Sequence, residues 1–547
     1  MPLTYRRPGV YLEESLLSSA GDVSNATSVA MFVGAAPKGP VNEPTRIETW
    51  GDFTSLFGGF DTVTDPVGAV QALSYLPYSV YSFFQNGGRT AYIVRSIPVA
   101  NAGTASSKVV TGVQFSDGVT AGNAFTISAR SAGTWGTNVS YLLRIQETVG
   151  SAPVTDCIFT LQVVLTTNGT SEVVESFPNL SIAGTISGTR PVTEAINDLV
   201  SGSRYVQISS ARADIVPAEA LSSVPLQGGT DPHLPTSGDL TSSAVDAVPK
   251  VEGPIVLNIV GYISDVSTIE TATWADNYVG GTTSSSSWSD RQDVFVVNDN
   301  CPPREPGQTA SSYKTSMLQS TSLSANSGDS YSASYGPWGL ISNPLRAGSV
   351  MAIPPGGAVI GMVSRIDATI GVFRAPAGVI ASLNNFIGVQ TKFTDTELGD
   401  LNSANVNVIR PVVGAGMAVM GARTRKSFGA DRYVSARRTL IYIREVLRRS
   451  TQFAVFENND SRLWSSLRMS AERILRPLWE AGGLRGANAA EAYFIRCDDT
   501  INTAAVIAAG EVRMEIGVAL EYPAEFVVIR VSQFDRGQVT TEVTANV

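Results

Sequence analysis

Apolar residues first gather at SVAMFVGAA (28–36), a run of a length that suits a strand covered on both faces. PKGPVNEP follows as a turn-rich loop, and TRIETWGDFTSLFGG (45–59) ends at a Gly pair suited to stopping a short helix. AVQALSYLPYSVYSFFQNGG (69–88) predicts a helix and AYIVRS (91–96) a compact apolar strand. Strand, helix, helix, strand is an α/β organisation.

Between about 100 and 230 the chain turns to Thr, Ser, Val and Gly. Short alternating runs such as AFTISARS (124–131), NVSYLLRI (138–145) and CIFTLQVVLTT (157–167), parted by Gly and Asn turns, predict a β-rich insertion. VEGPIVLNIV (251–260) and DVFVVN (293–298) have the form of buried strands of another α/β unit, while 305–336 is Ser-rich and reads as loop. In the C-terminal part Tyr433, Ala436, Leu440, Ile443 and Leu447 recur at helical steps, with Arg437, Arg438, Arg444 and Arg448 around the rest of the helix. A second helix is predicted from Asp460, a good N-cap type, through Leu463, Leu467, Ala471, Ile474 and Leu478 to Gly482 and Gly483, with Pro477 bending its last turn. The final GQVTTEVTANV (537–547) alternates, placing Val539, Thr541, Val543 and Ala545 on one side of a strand. Such a strand needs a partner sheet, from another molecule or from its own domain; a frayed tail is the remaining reading.

With 547 residues, 43% of them hydrophobic, the chain has material for several buried cores. Its N-terminus MPLTYRRPGVYLEE lacks the apolar run of a secretory signal, and no apolar stretch reaches the roughly 20 residues that cross a bilayer, so no membrane insertion is expected. Cys157, Cys301 and Cys497 are far apart and in no CxxC spacing, which suits three reduced thiols better than a disulfide framework or a zinc site. The single histidine, His233, sits in a Gly/Pro-rich turn and reads as a surface loop residue. There is no GxxxxGK[ST] loop, and GAGMAVMG (414–421) lacks the third glycine of GxGxxG. Neither cofactor nor metal is expected. Carboxylate-only catalysis stays formally open, since spacing cannot tell which of 48 Asp and Glu residues meet in space.

Charge sharpens the picture. The formal net charge is -9, yet residues 401–547 hold 19 Lys and Arg against 15 Asp and Glu (net +4), leaving 20 against 33 (net -13) for residues 1–400. Within 401–449, ten basic residues (Arg410, Arg423, Arg425, Lys426, Arg432, Arg437, Arg438, Arg444, Arg448 and Arg449) accompany only Asp431 and Glu445. Three readings fit this cluster: a protein-docking face, a solvated or internally paired helix surface, and a nucleic-acid site. The last lacks a wholly basic domain or a recognisable reading motif, which disfavours a DNA-binding or packaging protein.

The ordered motifs carry a resemblance. RRPGVYLEE (6–14), FVGAAPKGPVNEPTRIETWGDFTSLFGG (32–59) and FFQNGGRTAYIVRS (83–96) look like the N-terminal part of contractile-tail sheath proteins, and SAGTWGTNVS (131–140), VVESFPNLS (173–181) and SRYVQI (203–208) are similar to that family's inserted β domain. YGPW (335–338), IPPGGAVIGMVSRIDATIGVFRAPAG (353–378), GARTR (421–425), FENND (456–460), RCDDTINT (496–503) and YPAEFVVIRV (522–531) follow in family order, whereas 231–335 matches poorly. The resemblance implies an α/β (α+β) multidomain chain whose inner α/β domain is built from the N- and C-terminal regions, with a β-rich insertion, a further α/β insertion and extended arms. On this chain the expected divisions are an N-terminal arm (1–25), the first part of the inner domain (26–100), the β-rich domain (101–230), a second insertion with a Ser-rich segment (231–340), the rest of the inner domain (341–530) and a C-terminal arm strand (531–547).

It also implies a structural protein, not an enzyme: a homo-oligomeric helical or stacked-ring sheath around an inner tail tube protein, bounded by baseplate and tail terminator proteins. The expected location is the tail of a virion assembled in the host bacterial cytoplasm, or a phage-derived contractile injection system, with no direct contact to nucleic acid. Strand exchange between subunits is expected at Val10, Tyr11 and Leu12 and at Val539, Thr541, Val543 and Ala545. For docking on an acidic tube the candidates are Arg437, Arg438, Arg444, Arg448 and Arg449, with Arg462, Arg468 and Arg473 of the second helix as rivals.

Overall fold

The structure is a computed structural model. It describes residues 29–260, 293–525 and 529–544, apart from breaks at 61, 65–70, 99–102, 115–119, 150–155, 168, 183, 185, 199–200, 233–234, 236, 300, 322–329, 430 and 536–537. Val10, Tyr11, Leu12, His233 and Ala545 therefore lie outside the described residues.

The apolar run at Val29 forms β1 (Val29–Gly34), buried from Ala30 onward. It is followed by β2 (Thr45–Ile47), α1 (Trp50–Phe57) and α2 (Leu76–Gln85), then β3 (Ala91–Arg95). Helix α1 starts in a capping box, Thr49 with Asp52, and stops at Gly58, whose φ of 92° suits glycine. The helix expected over 69–88 is shorter: Gln71–Leu73 is a strand, and α2 begins beside Pro77, whose fixed φ and missing N–H suit a first turn.

Beyond the β-rich insertion come α3 (Ser237–Ala247), β4 (Ile255–Ile259), β5 (Val294–Asn298), α4 (Ala310–Thr321), β6 (Ser332–Gly336), α5 (Gly356–Thr369), α6 (Asp395–Ser403), β7 (Val406–Val412) and β8 (Gly416–Val419). Among the described residues eight strands make one sheet in the order β2-β3-β1-β4-β5-β6-β7-β8, parallel except for β2 and β8 at its edges. Helices α2 and α5 pack together, α2 against β1 and α5 against β4 and β5; α3 lies against β1, β3 and β4, and α4 contacts α6, which packs on β7. Gly357 and Gly361 explain the GGAVIG run: a Cβ on either would meet the backbone oxygens of Ser79 or Phe83 at 2.1 and 2.3 Å.

The Ser-rich stretch 305–336 contains α4 and the fully buried β6, because a central parallel strand is held by its ladder and small polar side chains such as Ser332 and Ser334 pack there without needing apolar character. The second insertion drawn over 231–340 also supplies β4, β5 and β6, which stand between β1 and β7; these strands are the middle of the main sheet, not an appended unit.

The β-rich insertion folds around its own core. A five-stranded sheet (Val139–Val149, Asp156–Thr167, Thr170–Ser181, Arg190–Pro191, Ala220–Pro225) and a four-stranded sheet (Ser107–Gln114, Ala121–Ala129, Val206–Ser209, Ile215–Pro217) share one buried cluster. Within it the rings of Phe125 and Phe159 stack 6.3 Å apart.

The chain crosses to this domain through the paired segments at Thr104 and Thr230. Beside the crossing Arg95 is fully buried and donates to the carbonyl oxygens of Ala36 (2.7 Å), Pro37 (3.0 Å), Gly39 (3.1 Å) and, across the joint, Ala132 (3.2 Å). Burial pulls its guanidinium down to about 10, still charged at neutral pH. Gly39 N–H donates to Ser131 Oγ, and Lys38 lies 5.8 Å from the Trp135 ring centroid.

Candidate functional site

The densest basic run forms α7 (Val434–Ser450), and α8 (Ser461–Glu480) packs against it. Helix α7 is covered on two sides. Val434 and Ile441 belong to the main-sheet core, while Ala436, Tyr442, Ile443 and Leu447 pack with Ala471, Ile474, Leu475 and Leu478 of α8. Arg438 and Glu445 share the helical stripe of Val434 and Ile441, so they are carried into the interior.

The guanidinium of Arg438 forks onto Asp367 of α5, with Nη1 at 2.9 Å from Oδ1 and Nη2 on Oδ2, and both side chains are almost wholly buried. Arg437 pairs with Asp431, donates from Nε to Ser330 Oγ at 2.6 Å, and lies 4.3 Å from the Tyr331 ring centroid. Asp431 also accepts from Lys426 Nζ and Ser330 Oγ. Burial opposes its ionisation, but Lys426 and Arg437 outweigh that and hold its carboxyl below the usual range. One turn from the end of α7, the buried Glu445 receives Arg448 through two bonds of 2.7 Å and Arg449 through one of 2.5 Å, and it too is held below the usual range despite burial.

Of the docking candidates, then, Arg437 and Arg438 do not present their guanidinium groups at the surface. They are internal ion-pair partners, and their assignment as contact residues is corrected. Arg444 is half-buried. The side chains of Arg448 and Arg449 stay 40% and 51% exposed while bonded to Glu445. Both acids that accompany the ten bases, Asp431 and Glu445, are buried partners.

Helix α8 behaves differently. Asp460 caps it, accepting from the backbone N–H groups of Arg462 and Leu463 at 2.9 Å each, and Leu463, Leu467, Ala471, Ile474 and Leu478 face inward. The opposite face exposes Arg462, Met469 (62%), Arg473 and Arg476 at helical spacing. Arg476 pairs with Glu480, and Arg468 donates to Cys497 O at 3.0 Å; among the described residues Arg462 and Arg473 have no carboxylate partner.

The body ends in the antiparallel pair β9 (Tyr493–Arg496) and β10 (Glu515–Val518), and the chain then forms a hairpin of β11 (Ile529–Asp535) and β12 (Gln538–Thr544). Among the described residues β11 and β12 pair only with each other, so each keeps one open edge. Val539, Thr541 and Val543 fall in β12, whose partner in this chain is β11. No helix among the described residues is long and apolar enough to cross a membrane, and Cys157, Cys301 and Cys497 are buried and unbridged.

The phage tail sheath C-terminal domain family matches residues 430–534, which span α7, α8 and β11. The whole chain resembles the sheath of an extracellular contractile injection system (PVC) in the contracted state, at 19% identity and a TM-score of 0.54, covering 98% of this chain and all of the other. It resembles the sheath tail protein of Listeria innocua at 11% identity and a TM-score of 0.54, covering 96% of each chain. The contracted helical sheath of the anti-feeding prophage matches at 19% identity and a TM-score of 0.50, with 97% and 100% covered. This chain has the contractile-tail sheath fold. Comparison with curated proteins finds no match.

Within the sheath fold the quoted motifs acquire places. FVGAAPKGP and AYIVRS are the neighbouring strands β1 and β3 together with the loop that Arg95 binds, and IPPGGAVIGMV is the close-packed helix α5. Arg95 and Asp367 were inside recognised motifs, but nothing in their sequence context showed what they would touch.

Proposed function

We propose that this chain is the repeating subunit of a contractile tail sheath, polymerising around an inner tube and shortening from a metastable extended lattice to drive the tube through a target cell envelope. The observation that carries the reading is near end-to-end coverage, 98% and 97% of this chain and all of the other, by sheath subunits from contracted assemblies. Work comes from the free-energy difference between two packings of the same subunits, released from the baseplate end, and needs no nucleotide or catalytic residue. A repeated heterologous contact that does not close gives a helical array. The open edges of β11 and β12 suit strand addition from neighbouring copies, with Val10, Tyr11 and Leu12 as the opposite contributor and Val539, Thr541, Val543 and Ala545 in the shared strand.

The tube-docking face in this reading is the outer side of α8, led by Arg462 and Arg473, with Arg468 beside them and Arg444, Arg448 and Arg449 at the margin. Arg462 and Arg473, exposed and without a carboxylate partner among the described residues, suit an acidic partner surface. Baseplate and terminator proteins bound the assembly in the particle's tail, formed in the host bacterial cytoplasm. A phage-derived injection system is the second reading, supported by the PVC and anti-feeding prophage structures at 19% identity.

Electron microscopy of the purified subunit, alone and co-expressed with its tube protein, tests this. Hollow striated cylinders of uniform width are expected, and dispersed monomers at high concentration in both preparations overturn it. Arg462→Glu with Arg473→Glu should abolish recruitment to the tube while the subunit stays folded; undiminished recruitment removes the docking assignment.

A further inference from the structure

We infer that Arg423 and Glu525 form the anchor through which the C-terminal hairpin is fastened to the main sheet, so that pull on a shared strand is delivered into the body of the subunit at this one bidentate contact. The inference rests on the strand-sharing reading for its purpose, though the anchor itself is a property of the single chain.

Arg423 is held before it meets Glu525. Its backbone N–H donates to Asn407 Oδ1 at 2.8 Å, and Asn407 Nδ2 donates back to its carbonyl oxygen at 2.8 Å, so a side chain of β7 grips the residue on both sides. Its Nη1 donates to Asn402 O at 2.7 Å. Nε and Nη2 remain, and they take the two carboxylate oxygens of Glu525 at 2.8 and 2.5 Å. The side chains are 7% and 19% exposed, so water competes little for the pair. The Glu525 contact raises the pKa of Arg423, keeping the guanidinium charged.

Glu525 stands four residues before β11, at the point where the chain leaves the body. A second contact supports it: the Tyr522 ring lies 6.0 Å from that of Tyr433, the residue bridged to Arg423, and Arg485 lies over Tyr522 at 5.9 Å. Beyond this base the hairpin pairs only with itself among the described residues. A planar guanidinium fixed on three sides holds a carboxylate in direction as well as distance, which an ammonium group cannot do.

The test uses spin labels at Ser403→Cys in α6 and Thr541→Cys in β12, which is practicable because the three native thiols are buried. In the monomeric full chain the wild-type background should give one narrow distance distribution. Glu525→Gln, which keeps the shape of its side chain, and Arg423→Lys, which keeps the charge but loses the planar fork, should each broaden it at least twofold, and Arg423→Glu with Glu525→Arg should restore part of the narrow component. Circular dichroism confirms folding, and should one single variant not fold, the other still decides. Equal widths in all folded variants overturn the anchor. Strand sharing is judged separately by deleting 538–547: normal sheaths from that deletion defeat the strand reading but leave the distance result standing, while loss of sheaths with unchanged distances defeats the anchor alone.

Discussion

Asp367 is the sharpest place to perturb the basic cluster. Its carboxylate meets Arg438 in a two-bond fork between α5 and α7, with side-chain exposures of 5% and 3%. Asp367→Ala leaves a buried guanidinium without its counter-charge, and removing one partner of such a pair costs about 3–5 kcal/mol. That is a large part of the roughly 5–15 kcal/mol by which a domain is stable. Replacing both partners, Asp367→Leu with Arg438→Met, removes the desolvation penalty together with the attraction, and should lie within about 1–2 kcal/mol of wild type or above it. Urea unfolding of the purified subunit, read at the transition that reports the α7 and α8 layer, gives both values. The double variant should also still bind the tube, because neither side chain is at the surface. Equal losses for single and double variants would refute the buried-pair account; a stable double variant that no longer docks would restore Arg438 as a contact residue.

Arg95→Met should destabilise the chain by about 2–4 kcal/mol, since four carbonyl oxygens lose a charged donor, and should let the inserted domain melt apart from the main sheet in calorimetry. Asp299 is buried, with Oδ1 on the N–H of Gly356 at 2.7 Å and Oδ2 on Asn258, and burial raises its pKa to about 7 despite those bonds. The native state therefore holds its proton between about pH 4 and about pH 7 where the unfolded chain has released it, so this contribution is full below pH 4 and is lost as pH rises through 7. Asp299→Asn should flatten that part of a melting-temperature profile, and an unchanged slope rejects the assignment. Gly357→Ala forces a Cβ to 2.1 Å from Ser79 O and should part α2 from α5, visible as a loss of about 2 kcal/mol or more in urea unfolding, whereas Gly399→Ala on exposed α6 has open space and should be neutral or stabilising.

The strands at Val29, Ala91, Ile255 and Val294, the two C-terminal helices with the Asp460 cap, and the β-rich character of the insertion were all legible in the sequence. They are set by local apolar runs, by periodicity and by turn chemistry, each confined to a few neighbouring residues. The serine-rich strand β6 was hidden because its burial comes from β5 and β7 on either side, and its own letters resemble a loop.

For the arginine cluster, sequence alone determined that one side of α7 is apolar and that cations crowd the remainder. Which of those cations face water was decided only when the main sheet closed over the stripe of Val434, Arg438 and Ile441, bringing Asp367 from 71 positions away to one guanidinium and Asp431 to another. Helical periodicity records a residue's angle around its own axis; what lies at that angle depends on a second element packed against it, and that is a property of the whole fold.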